Sequence, residues 1–95
     1  MDEDKRNVVL KSDWTVVEPI RIYDICVLES EMQEFMCFNV IQYEEFKYLY
    51  FGSFDYENTM YAVQIEMNGE NYAKVLTEKS QQRFAFELYK KEQRR

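Results

Sequence analysis

The sequence predicts an α+β fold: an antiparallel β-sheet of four to six strands, arranged as a meander, with a C-terminal helix packed on one face. Three observations carry that prediction. Apolar and polar residues alternate on both sides of Asn68-Gly69. A second alternating run, rich in tyrosine and phenylalanine, lies just upstream. The C-terminal stretch is built from good helix formers with one apolar stripe. The alternative is an all-β small barrel.

Taken in chain order, "TVVE" and "IRIYDICVLE" read as strands around the single proline, Pro19, which suits an edge or a strand start. "EFMCFNVIQY" is almost continuously apolar, so neither period wins. Its β-branched and aromatic residues favour a strand buried on both faces. "SEMQ" at Ser30–Gln33 offers the competing reading, a capping box that opens a helix.

From Tyr43 to Tyr61 lie eight of the sixteen aromatic residues. A turn centred on Glu57-Asn58 places Phe54 opposite Tyr61, Gly52 opposite Val63, Tyr50 opposite Ile65 and Tyr48 opposite Met67. Tyr48, Tyr50 and Phe54 are then core-face residues. Leu49, Phe51 and Ser53 point the other way, onto a half-apolar face that is either covered or exposed. Beyond Met67, Asn68-Gly69 is a type I′ hairpin signal, because both positions need positive φ. It pairs Met67 with Glu70, Ile65 with Tyr72 and Val63 with Lys74.

The stretch "LTEKSQQRFAFELYKKEQRR" closes the chain as a helix. Thr77 or Ser80 can cap its start, and its basic end suits the helix dipole. Phe84, Ala85, Leu88 and Tyr89 share one stripe, with Phe86 outside it. "FAFEL" also alternates, which is the case for a strand there.

Composition narrows the function. The 95 residues make one domain, residues 1–95, with two glycines and one proline. The opening "MDEDKRNVVL" is polar, and no apolar run is long enough for a membrane span, so a cytoplasmic protein without membrane partners is expected. Cys26 and Cys37 are then free thiols in the core, although a hairpin around Glu29–Gln33 would set them opposite each other.

The chain has no histidine. That excludes a Ser-His-Asp triad, a Cys-His pair and a histidine-ligated metal. The two glycines stand alone, so there is no phosphate-binding loop. No catalytic residue, cofactor site or metal site can be named, and the expected class is not an enzyme.

The net charge is −6. Ten acidic residues and one basic residue, Lys47, fall between Asp24 and Glu70. The aromatics lie in this acidic part, which opposes direct nucleic-acid binding by repelling phosphates. What is left is protein binding. The candidate contact residues are Tyr43, Glu44, Glu45, Phe51, Asp55, Tyr56, Glu57, Glu66 and Glu70, and the expected partner is a protein with a basic surface.

In size and charge the chain resembles phage counter-defence proteins, the anti-CRISPR and anti-restriction inhibitors. It also resembles the small acidic immunity proteins and antitoxins that neutralise nucleases. That likeness implies a viral or immunity protein acting as a stoichiometric inhibitor, in the host cytoplasm if phage-encoded. The alternative is a structural or assembly protein acting as a homodimer through Leu49, Phe51 and Phe86, or through an edge strand.

Overall fold

The computed structural model describes residues 8–93. Seven strands and one helix follow in the order β1 (Val8–Leu10), β2 (Thr15–Val17), β3 (Ile25–Leu28), β4 (Gln33–Tyr43), β5 (Phe46–Ser53), β6 (Thr59–Met67), β7 (Glu70–Val75) and α1 (Lys79–Gln93). The strands form one sheet in the order β1-β3-β4-β5-β6-β7-β2. β3 to β7 form an antiparallel meander, β2 adds antiparallel to β7, and β1 adds parallel to β3. The sheet is therefore mixed, not purely antiparallel. It curls into a nearly closed barrel, which the second of the two predicted architectures anticipates.

Two hydrogen bonds draw the ends of the sheet together. Just past β1, the Lys11 carbonyl accepts from Val75 N at 2.8 Å, while the Leu10 carbonyl accepts from Glu29 N at 3.0 Å. The end of β1 thus bridges β3 and β7. A register shift between Cys37 and Asn39 bends β4 and strengthens the local curl. Along the inside, Ala62 and Ala73 leave room for Phe35 and Phe51, so a small barrel fills with side chains.

Closure covers the inner face of the sheet, and α1 covers part of the outer one. Leu10, Cys26, Phe35, Leu49, Phe51 and Met60 pack inside the barrel. On the outside, α1 lies over Ile41, Tyr50 and Val63 through Ala85, Leu88 and Tyr89. The Tyr50 hydroxyl donates to the Ala85 carbonyl at 2.7 Å and joins helix to sheet. Burial comes first among the causes that hold this phenol above its ordinary range.

Several expectations are corrected. β1 was not anticipated, because three residues at the end of a polar stretch leave no period to read. The helix alternative for Ser30–Gln33 is replaced by a turn, and Gln33 opens β4. Ile20–Asp24 is not strand. It is the crossover from β2 to β3, anchored where Tyr23 N donates to Cys37 O at 2.7 Å and Cys37 N to Asp24 O at 2.9 Å.

The β5–β6 register also differs: Tyr50 faces Tyr61, Tyr48 faces Val63 and Gly52 faces Thr59. The turn centres on Asp55-Tyr56. Because the displacement is an even number of residues, Tyr48 and Tyr50 keep their predicted face. Phe54 falls beyond the strand and is half exposed. Cys26 lies opposite Phe35, and both thiols are free and buried. Desolvation pushes the Cys37 thiol up to about 11.

The Asn68-Gly69 hairpin forms in the predicted register, with φ of 53° and 81° at the two positions. A side chain at Gly69 would meet no atom within 4 Å, so any cost there is conformational and not steric. Gly69→Val is therefore expected to lose about 1–2 kcal/mol, the penalty for an L-residue in left-handed backbone. Urea unfolding should show a lower midpoint with an unchanged slope. Tyr50→Phe removes the bond to Ala85 and should cost about 1 kcal/mol by the same measurement.

Candidate functional site

The predicted contact residues are all turn or turn-flanking residues except Phe51. The topology divides them between two ends of the barrel. Glu44 and Glu45 precede β5, whereas Asp55, Tyr56 and Glu57 follow it. The eight residues of β5 hold the two groups roughly 23 Å apart at about 3.3 Å per residue. Glu66 and Glu70 flank the β6–β7 turn, which lies at the Glu44 end.

At that end, Gln42 Nε2 donates to the carbonyls of Glu44 at 2.8 Å and Phe46 at 3.1 Å. These bonds hold a tight turn in which Glu44 has φ 55°. The Tyr43 ring stands edge-on to Phe84 at 5.3 Å and to Tyr48 at 6.4 Å. Tyr43 is thus steered by the helix while one face stays open to solvent. Glu70 accepts from the Tyr72 hydroxyl at 3.0 Å, and that bond raises the phenol above its usual range.

At the other end the turn is more ordered. Ser53, itself buried, donates its hydroxyl to Asp55 and accepts from Asn58 N at 3.0 Å. Asp55 also accepts from Glu57 N at 3.1 Å. The Ser53 hydroxyl first, and the Glu57 amide second, hold the Asp55 carboxyl below its ordinary value of 3.8. The turn leaves Tyr56 at φ 62° with 94% of its surface exposed.

Phe51 is corrected: it is fully buried inside the barrel and cannot meet a partner. Leu49 is buried beside it, so neither supplies the apolar patch that the homodimer reading used. Barrel closure is the reason, since it turns that sheet face inward. Phe86 stays half exposed on α1, with the Lys90 ammonium 5.4 Å from its ring centre.

The sequence reading missed other residues. On the outer face past the end of α1, Met36, Phe38, Gly52, Phe54, Tyr56 and Thr59 line a cavity of about 320 Å³. Gly52 opposite Met36 leaves the floor bare, and Phe38 leans on Tyr89 with ring centres 6.1 Å apart. Phe38 sits at the register shift in β4, which no sequence period reveals. The lone glycine in an aromatic strand was the available signal. A second cleft of about 440 Å³ opens at the same end of the barrel, beside the Lys11–Glu29 ion pair at 3.8 Å.

Among the described residues, no group of histidine, cysteine, aspartate and glutamate side chains converges to hold a metal. No helix among them is long and apolar enough to cross a membrane. Comparison with known protein families, with curated proteins and with solved structures returns no match.

The Asp55 turn yields a pH prediction. Because the folded carboxyl is lowered, its stabilising effect is present above 3.8 and is lost as pH falls through the lowered midpoint. In an NMR titration, Asp55 should protonate below 3.8 in the native protein. Ser53→Ala should move that midpoint back towards the ordinary value.

Proposed function

We propose that this protein is a non-enzymatic protein-binding domain, acting as a stoichiometric inhibitor of a nucleic-acid-binding protein or nuclease. The observation that supports it is the exposure of Glu44, Glu45, Asp55, Glu57, Glu66 and Glu70 at turns. Among the described residues, none of these carboxylates is in a salt bridge. Exposed carboxylates on ordered turns can occupy a groove built for phosphates, and they speed encounter with a basic surface. Tyr56 and Tyr43 supply aromatic anchors beside them.

The two acidic ends lie farther apart than the screening length of about 8 Å at physiological salt, so each contributes to encounter separately. Against a partner captured from the native host, association should slow as salt rises. One of two reversals, Glu44/Glu45→Lys or Asp55/Glu57→Lys, should slow it strongly while leaving the melting temperature nearly unchanged. The responsive pair marks the end that faces the partner. Association insensitive to salt and to both reversals would remove the reading.

A homodimer is the second reading, and one feature favours it. Val9 on β1 and Val16 on β2 are both exposed along the seam where the sheet does not close. Light scattering on the purified protein separates the two, because a dimer that persists at low concentration belongs to the second reading alone.

A further inference from the structure

We propose that the groove between Phe38 and Phe54 is a docking site for an apolar side chain flanked by lysine or arginine on a partner protein. The inference rests on the protein-binding reading above and assigns its apolar contact. The outer sheet face explains why the groove exists. α1 covers Tyr48 and Tyr50 but ends its cover at Phe38, where Tyr89 meets the ring edge-on. Beyond that contact, no described residue of α1 lines the groove. Gly52 brings no side chain, and its missing Cβ would touch only Phe38, at 3.9 Å. The cavity, about 320 Å³, is at the small end of ligand sites, which run from roughly 300 to 1,000 Å³, so it suits one or two side chains.

Two further observations say what would fill it. First, the apolar side chains at this end are held outward against local preference. Tyr56 at φ 62° and Met32 at φ 52° occupy left-handed backbone that glycine or asparagine adopts more readily. Both side chains are largely exposed, so folding gains little from their burial. The β4–β5 register sets their turns side by side at this end. Second, carboxylates lie beside the groove. Asp55 and Glu57 stand in the turn, and Glu34 lies exposed on β4 two residues before Met36. Among the described residues, no lysine or arginine lines the groove. The hydrogen bonds from Ser53 and Glu57 keep the Asp55 carboxylate ionised and fixed in place. An apolar pocket with an anionic rim selects an apolar residue next to cations and rejects one next to carboxylates.

The test is an amide NMR titration with three short synthetic peptides. One carries Lys-Lys-Leu-Phe-Lys-Lys, one has the Leu-Phe pair replaced by serines, and one has the lysines replaced by glutamates. The first peptide should shift the amides of Met36, Phe38, Gly52, Phe54 and Thr59 in a saturable way. The serine peptide should bind roughly tenfold or more weakly, because burial of the large apolar side chains is lost. The glutamate peptide should not bind. Gly52→Leu, which fills the groove without a backbone penalty, should abolish the shifts while the melting temperature holds. Phe54→Ala should weaken binding as well. No saturable shifts, equal binding of the serine peptide, or binding that survives Gly52→Leu would each overturn the proposal. Those results would leave salt-dependent association with a captured partner intact, so failure of the groove and failure of the wider reading are distinguishable.

Discussion

Gln64 faces the inside of the barrel, directly opposite Ala73, where an amide has no access to water. It is satisfied all the same. Its Oε1 accepts from Ile20 N at 3.1 Å, and its Nε2 donates to Asn71 Oδ1 at 3.2 Å. A buried amide without partners would cost about 1–3 kcal/mol, so the chain is constrained to bring Ile20 to this point. Ile20 belongs to the crossover that leaves β2 at one margin of the sheet and enters β3 near the other. Fixing Ile20 over the barrel mouth therefore fixes how far the sheet must curl. The Ile20 side chain then plugs the end and joins the interior cluster with Leu10, Cys26 and Phe51. Curling buries the inner face of β5, and α1 buries the outer one.

That constraint explains which parts of the structure were legible in the sequence. Local signals survived intact. Asn68-Gly69 encodes its own turn through positive φ, and the C-terminal stripe of Ala85, Leu88 and Tyr89 encodes its own packing face. Even the misplaced β5–β6 turn kept Tyr48 and Tyr50 on their face, since parity outlasts an even register error. Non-local features were not legible. The parallel pairing of β1 with β3 joins short segments separated by a crossover, and nothing local marks it. The register error arose because the Ser53 and Asp55 side chains build a turn by hydrogen bonds that a propensity reading does not weigh. Leu49 and Phe51 were ambiguous for a deeper reason. Strand alternation separates two faces but does not say whether the second is closed by a helix, by the sheet itself or by a partner.

The candidate site follows the same division. The exposed turn carboxylates were legible, because charged residues next to turn signals stay in water. Their division into two ends was not, since it depends on the length and direction of β5. Of the candidate aromatic anchors, Tyr56 and Tyr43 are at the surface, whereas Phe51 is in the core. Phe38 and Phe54 took the exposed role instead. Their position depends on the register shift at Cys37–Asn39 and on the turn centre at Asp55-Tyr56, both products of hydrogen bonding across strands.

The aromatics between Tyr43 and Tyr61 thus serve two purposes, and backbone geometry separates them. Tyr50 and Phe51 lie in regular strand, where alternation sends one to the helix and the other to the barrel interior. Burial of each contributes about 1.5–3 kcal/mol to the fold. Tyr56 lies in left-handed backbone, which costs about 1–2 kcal/mol with no comparable burial in return. Stability alone would favour asparagine or glycine there. The balance of terms is therefore opposite at positions only a few residues apart. A tyrosine held outward at a conformational cost, beside an apolar groove and a fixed carboxylate, is the arrangement that the proposed docking of a partner would use.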